Sequence, residues 1–229
     1  MALYAVIGLG QLGAAVATNL ANGGEVIAID TNAARVDAVK DHVARALCLD
    51  ATDERALRAS GISDASTVVL ALGENQLEEA VLATMLLRDL GVGRIIARAG
   101  TDVQAKVLER LGVSKVIFPE RQIGTQIARQ ILMPSVREIV PLADDASLAE
   151  VEAPEGFIGR SLAELKLRTE FGVNAVAVRR QVEAVQDDGT VKQADRVVSN
   201  VGPETILEKG DVLVVVGSDD AVRALSAAK

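Results

Sequence analysis

Aromatic side chains are nearly absent from this sequence, which has no tryptophan, one tyrosine and three phenylalanines, 2% of the chain. That scarcity argues against base-stacking platforms and large aromatic ligand pockets, and it leaves the core to Val, Ile, Leu and Ala. A single cysteine, Cys48, permits no internal disulfide, which fits a reducing compartment. Basic charge is also in deficit: 24 Lys and Arg stand against 32 Asp and Glu, for a net charge of -8. No basic cluster offsets that balance, so a general binder of the nucleic-acid phosphate backbone is not expected. Apolar residues reach 49% of the chain, yet no apolar run approaches the roughly 18 to 20 residues that a bilayer crossing requires. Met1-Ala2-Leu3 runs straight into the first expected strand, with no basic leader or cleavage site, so a soluble chain without an export signal is expected.

A chain of 229 residues has room for two modest domains. From Leu3 to Glu120 it alternates six short apolar runs, LYAVIG, EVIAID, RALCLD, TVVLAL, RIIARA and KVIFPE, with amphipathic stretches at residues 11–22, 32–40, 53–60, 75–90 and 102–111. This cadence predicts a parallel sheet with helices on both faces. Residues 121–133 carry Ile123, Ile127 and Ile131 four apart, an apolar stripe on one helix face, and the segment stops at Met133-Pro134. A domain boundary is placed there, dividing the chain into 1–134 and 135–229. Beyond it, residues 137–142, 148–152, 173–179 and 211–217 read as strands and 162–167 as a short helix, with frequent glycines between them. That texture predicts a small α+β domain. The polar stretch 186–193 reads as a hairpin tip or mobile loop.

The first strand breaks into Gly8-x-Gly10-x-x-Gly13 and then into helix-forming alanines. In such a turn the first glycine makes the bend, the second lets the backbone approach a phosphate, and the third lets the helix pack on the sheet. The helix then presents unpaired N–H groups and its positive dipole end to the anion. The next run ends in Asp30, placed to accept from adenosine ribose hydroxyls and to repel a 2′-phosphate, which disfavours NADP. Strand, glycine turn, helix and acid together predict a Rossmann-like doubly wound sheet. Asp30 could alternatively cap the helix starting near Asn32.

Catalytic chemistry is harder to find. The only histidine, His42, lies in a polar segment and reads as a surface residue, and Cys48, within RALCLD, reads as a buried small hydrophobe. No Gly-x-Ser-x-Gly or Cys-x-x-Cys is present. An NAD-dependent oxidoreductase would need an acid or base that this sequence does not display, and an NADH-responsive DNA-binding protein would need a basic recognition helix.

The order GLGQLG, EVIAID, CLDATD, VVLALGEN, IIARAG, VIFPERQIG, followed by a small C-terminal module, resembles the RCK (regulator of K+ conductance) family, specifically the cytosolic gating subunits of Ktr/Trk-type potassium uptake systems. The resemblance implies an N-terminal domain that binds ATP or ADP, or in some members NAD(H), as an unconsumed regulatory ligand. It also implies homodimers assembled into an octameric ring beneath a membrane-embedded channel subunit, hence a cytoplasmic protein peripheral to the inner membrane face. Carried onto this chain, Gly8, Gly10, Gln11, Leu12 and Gly13 would line the phosphates and Asp30 and Thr31 the ribose. Asp50, Ala51 and Thr52 would lie by the adenine, with Ala71, Leu72 and Gly73 alongside. ATP-responsive members often carry arginine where Gln11 stands, and a neutral amide cannot make the charge-assisted bond an arginine gives to a terminal phosphate. Arg98 matches a basic position that compensates in part. Glu120 matches a glutamate that in some members helps hold a divalent cation such as Mg2+; the alternative is a helix N-terminal acid held by the dipole. Thr52 or Asp53 could equally cap the next helix. The Ile123, Ile127, Ile131 face implies subunit packing, with ordinary core as the alternative. In several members the C-terminal module binds cyclic di-AMP; Leu162, Arg168, Asn174 and Pro203 sit near positions that could form that cleft, or are ordinary surface and turn residues.

Overall fold

The computed structural model describes residues 1–143, 145–185, 191–199 and 201–228. The chain divides into two compact units, Met1–Ile123 and Gly124–Lys229. The first unit alternates strand and helix throughout: β1 (Leu3–Ile7), α1 (Gln11–Leu20), β2 (Glu25–Asp30), α2 (Ala33–Val39), β3 (Arg45–Cys48), α3 (Glu54–Ala59), β4 (Thr67–Leu70), α4 (Leu77–Asp89), β5 (Ile95–Arg98), α5 (Asp102–Arg110) and β6 (Lys115–Ile117). These six strands form one sheet in the order β3-β2-β1-β4-β5-β6. Every neighbouring pair is parallel. The order reverses between β1 and β4, and ligands of such sheets bind at the carboxyl ends of the strands beside that reversal.

Strand alternation explains the layers. Ile7, Ile27, Ile29, Leu70 and Ile95 point to one face, where Leu57 of α3, Leu87 of α4 and Leu108 of α5 cover them. Val6, Val26, Ala28 and Val69 point to the other, against Ala17 of α1 and Val36 and Val39 of α2. Both faces of the sheet are thus buried, which accounts for the near-continuous apolar runs in the sequence.

Helix α6 (Pro119–Leu132) begins in the first unit and continues into the second. It starts two residues earlier than the sequence pattern indicates because Pro119 occupies the first helical position, where its missing N–H costs nothing. Glu120 therefore lies on the first turn of a helix and not at a strand end. Ile123, Ile127 and Ile131 are 55%, 50% and 74% exposed, so the stripe is not core of this chain. Division inside α6 follows its later contacts: Arg129 pairs with Asp219 at 3.4 Å, and Met133 belongs to the second core.

The second unit holds β7 (Val136–Ala143), β8 (Ala146–Glu152), α7 (Leu162–Leu165), α8 (Leu167–Glu170), β9 (Asn174–Val185), β10 (Val191–Val198), β11 (Val212–Gly217) and α9 (Asp219–Ser226). Its sheet is antiparallel, in the order β10-β9-β11-β8-β7. Val151, Leu165, Val178, Leu213, Val215 and Leu225 build its core. One helix was expected over 162–167; the structure has two single turns, because Lys166 takes a left-handed conformation (φ 48°) that ends the first. A capping box between Ser161 and Glu164 starts that first turn, and the bonds from the Ser161 backbone N–H and hydroxyl lower the Glu164 pKa. Strand β10 and helix α9 add to the expected elements. Of the stretch 186–193 read as a loop tip, residues 186–190 lie outside the described residues, and Val191 onward belongs to β10.

A buried ion pair ties β9 to the start of β11. Arg180 donates from Nε and a terminal nitrogen to the two carboxylate oxygens of Asp211, at 2.8 and 2.7 Å, and Asp211 is fully buried. The same guanidinium bonds the Ile206 carbonyl at 3.0 Å and pairs with Glu208. Asp211 hydrogen bonding is the chief reason the Arg180 pKa is raised.

Candidate nucleotide site

The glycine turn joins β1 to α1. Gly8 sits at φ +89°, and a Cβ there would stand 2.9 Å from the Ala71 carbonyl oxygen. At Gly13 a Cβ would lie 1.7 Å from the Gly8 oxygen, so helix and turn close on each other only because that position is bare. Gly10 is different: a Cβ would meet nothing within 4 Å. The space over Gly10 is open, which is the geometry a backbone approach to phosphate requires. Gly10 is also the N-cap of α1 and supplies no side-chain bond to its first N–H groups. Asn32, Asp53 and Thr101 cap α2, α3 and α5 with side-chain oxygens. The first turn of α1 is thus left to an external acceptor.

Asp30 ends β2, is 7% exposed, and spends both oxygens on the backbone around it. Oδ2 accepts from Leu9 N–H at 2.6 Å, inside the glycine turn, and Oδ1 accepts from Asn32 N–H at 2.8 Å. Asn32, not Asp30, caps α2. Arg35, on that helix, comes within 3.5 Å of Asp30 Oδ2. Asp30 consequently holds the turn in shape, while each carboxylate oxygen retains lone-pair capacity for a further donor.

After β3, Asp50 Oδ1 accepts from the Thr52 N–H at 2.8 Å and the Thr52 hydroxyl at 2.7 Å. The backbone bond first, and the hydroxyl second, hold this carboxyl below its usual range. Asp53, not Thr52, caps α3. After β4, the Gly73 N–H donates to the Gln76 side chain at 3.0 Å. These segments enclose a cleft of about 360 Å³ at the carboxyl ends of the strands. Of the expected residues, Gly8, Gly10, Asp30, Thr31, Asp50, Ala51, Thr52, Ala71, Leu72, Gly73 and Arg98 line it. Gln11, Leu12 and Gly13 do not: Gln11 is exposed at the first position of α1, and Gly13 is packed beneath the turn. Glu120 reaches the cleft only through Arg98, to which it is bonded at 2.6 Å. No group of three or more His, Cys, Asp or Glu able to hold a metal occurs among the described residues.

The cleft also contains Arg35, Gln76 and Glu79, which the sequence reading missed. Arg35 and Gln76 flank the starts of α2 and α4, and only their proximity to the predicted strand ends hints at such a role. Cys48 corrects an expectation. It is exposed, with Sγ 3.4 Å from the Thr31 carbonyl oxygen, because β3 is the edge strand of its sheet. His42 is exposed, as expected.

A second cleft, of about 650 Å³, lies within the second unit. Leu162, Arg168, Asn174 and Pro203 all line it, together with Lys166.

Fold and first cleft define a Rossmann-like nucleotide-binding α/β domain coupled to a small α+β module. The TrkA-N domain model matches residues 4–119 and the TrkA-C domain model residues 148–228. The chain is 32% identical over 216 residues to the Ktr system potassium uptake protein C of Bacillus subtilis, covering 94% of this chain and 91% of that protein. It is 31% identical to the Ktr system potassium uptake protein A of Vibrio alginolyticus, covering 95% and 93%. Among solved structures, the GsuK channel superposes with a TM-score of 0.64 at 16% identity, over 99% of this chain but 39% of that one. The GsuK channel bound to NAD gives 0.53 at 24% identity, over 98% and 38%. The chain belongs to the TrkA family of RCK-domain proteins and is a homologue of the Ktr potassium uptake subunits. No helix among the described residues is long and apolar enough to cross a membrane.

Proposed function

We propose that this chain is the nucleotide-binding regulatory subunit of a Ktr/Trk-type potassium uptake system, and that the nucleotide is a signal it holds without consuming. The observation that carries this reading is the open space over Gly10 at the uncapped start of α1, beside a cleft floored by Asp30. A ligand shifts an equilibrium between two states by its difference in affinity for them, and nothing more is needed for gating. The residues 1–134 then act as the nucleotide domain with its crossover helix, and 135–229 as a second regulatory domain.

ATP or ADP is the preferred ligand class, with NAD(H) as the alternative, in keeping with a GsuK structure solved with NAD. Neutral Gln11 would limit discrimination by a terminal phosphate. Mg2+ at Glu120 would offset the repulsion between that carboxylate and a polyphosphate. In the second cleft the grouping of Arg168, Asn174, Leu162 and Pro203 supports a phosphodiester ligand such as cyclic di-AMP. The exposed isoleucines of α6 support a homodimer, and an octameric ring beneath a membrane channel subunit at the cytoplasmic face is the assembly proposed. We favour a non-enzymatic role over an NAD-dependent oxidoreductase because no His, Cys, Lys or Tyr is among the described residues lining the first cleft.

Calorimetric titration with ATP, ADP, NAD, NADH and cyclic di-AMP, with and without Mg2+, tests the proposal. Binding of ATP or ADP without hydrolysis is expected. Binding of NADH accompanied by its turnover with a substrate would overturn it in favour of the oxidoreductase.

A further inference from the structure

Arg98 ends β5 inside the first cleft, yet its guanidinium is already engaged. One terminal nitrogen donates to Glu120 Oε1 at 2.6 Å and stands 3.8 Å from Glu74 Oε1. Its Nε is buried, and among the described residues nothing accepts from it. The Arg98 side chain is 19% exposed and that of Glu120 is 56% exposed. One cation with a spare donor therefore lies between two carboxylates, on the wall of the first cleft.

Resting on the nucleotide reading above, we infer that Arg98 and Glu120 form a displaceable latch: the terminal phosphate of a nucleoside diphosphate competes with Glu120 for Arg98 and frees that glutamate on the first turn of α6. A phosphate group carries more charge and more acceptor oxygens than a carboxylate, and a guanidinium fork binds it through two parallel bonds. The unpartnered Nε gives Arg98 a donor that Glu120 alone does not use. Glu120 is the exposed half of the pair, so water can compensate its release while Arg98 stays on the cleft wall. The freed carboxylate still favours the positive end of the α6 dipole. Since α6 is the covalent connection between the two units, occupancy of the cleft is reported on that connection. The latch responds to phosphate, so adenosine leaves it closed.

The test is calorimetry on the full chain with ADP and with adenosine, for wild type, Glu120→Gln, Arg98→Gln and the double variant. Glu120→Gln weakens the competitor and is expected to tighten ADP about tenfold, with adenosine unchanged. Arg98→Gln is expected to weaken ADP by about tenfold, and in that background Glu120→Gln has no further effect. Hydrogen exchange in the first turn of α6 responds to ADP in wild type and not in Arg98→Gln. Equal tightening by Glu120→Gln with and without Arg98 would mean a general loss of negative charge and overturn the latch, as would an ADP affinity untouched by Glu120→Gln. Should Arg98→Gln fail to fold, Arg98→Lys is the substitute: it keeps the charge but loses the fork, so ADP weakens and the Glu120→Gln gain shrinks, and an unchanged gain overturns the latch. A wild-type chain that binds neither ADP nor adenosine overturns the nucleotide reading itself, an outcome distinct from binding without latch behaviour.

Discussion

At the scale of single residues, the three glycines of the turn have separable duties. A methyl at Gly13 collides with the Gly8 carbonyl, so Gly13→Ala is expected to destabilise the first unit by about 1–3 kcal/mol, seen as a lower melting midpoint. Gly10→Ala meets open space; it should melt like wild type and lose nucleotide affinity in a titration, which separates binding from folding. Asp50 gives a pH prediction. Its folded pKa lies below the ordinary 3.8, so its contribution is complete above that value and is lost as pH falls through the lower folded value. Thr52→Val removes the hydroxyl bond and leaves the larger backbone one, so the Asp50 carboxyl should move part of the way back toward 3.8 in an NMR titration. That Gly8, Gly10 and Asp30 line the cleft was legible in the sequence because their positions are set by backbone geometry at fixed offsets from strand ends. Arg35 and Gln76 were not, since their reach into the cleft depends on where helix starts deliver long side chains. Glu120 was placed at a strand end because the run KVIFPE was read through Pro119, whereas that proline opens α6.

Among elements, the parallel sheet could be read in full because its central strands are buried on both faces and each strand has a short apolar core. The second unit was legible only in part. Strand β10 pairs along its length with β9, yet the sequence there is polar and carries no apolar alternation to announce a strand. Likewise LAELKL, residues 162–167, reads as one short helix; the left-handed Lys166 that interrupts it is not a glycine or proline, so nothing in the sequence marks the break. Strands β9 and β11 are pinned by the Arg180–Asp211 pair. Arg180→Ala would leave the buried Asp211 carboxylate without its counter-charge and should cost about 3 kcal/mol in denaturant unfolding of the second unit. Arg180→Lys restores charge but not the two-pronged geometry, so it should recover only part of that loss.

For the whole molecule, the exposed α6 stripe makes a prediction about assembly. If Ile127 is covered by a second copy, Ile127→Asp should lower the mass measured by light scattering while leaving the melting midpoint of each unit close to wild type; an unchanged mass would place the interface elsewhere. The layout of the chain has a further consequence, during synthesis. Every residue lining the first cleft lies between Ile7 and Arg98, and the sheet that carries them closes with β6 at Ile117. Domains of a growing polypeptide fold from the N-terminus as they emerge. The cleft is therefore complete while most of the second unit has still to be made or to emerge, and a nucleotide captured there would stabilise the nascent first unit by mass action before its companion unit has folded.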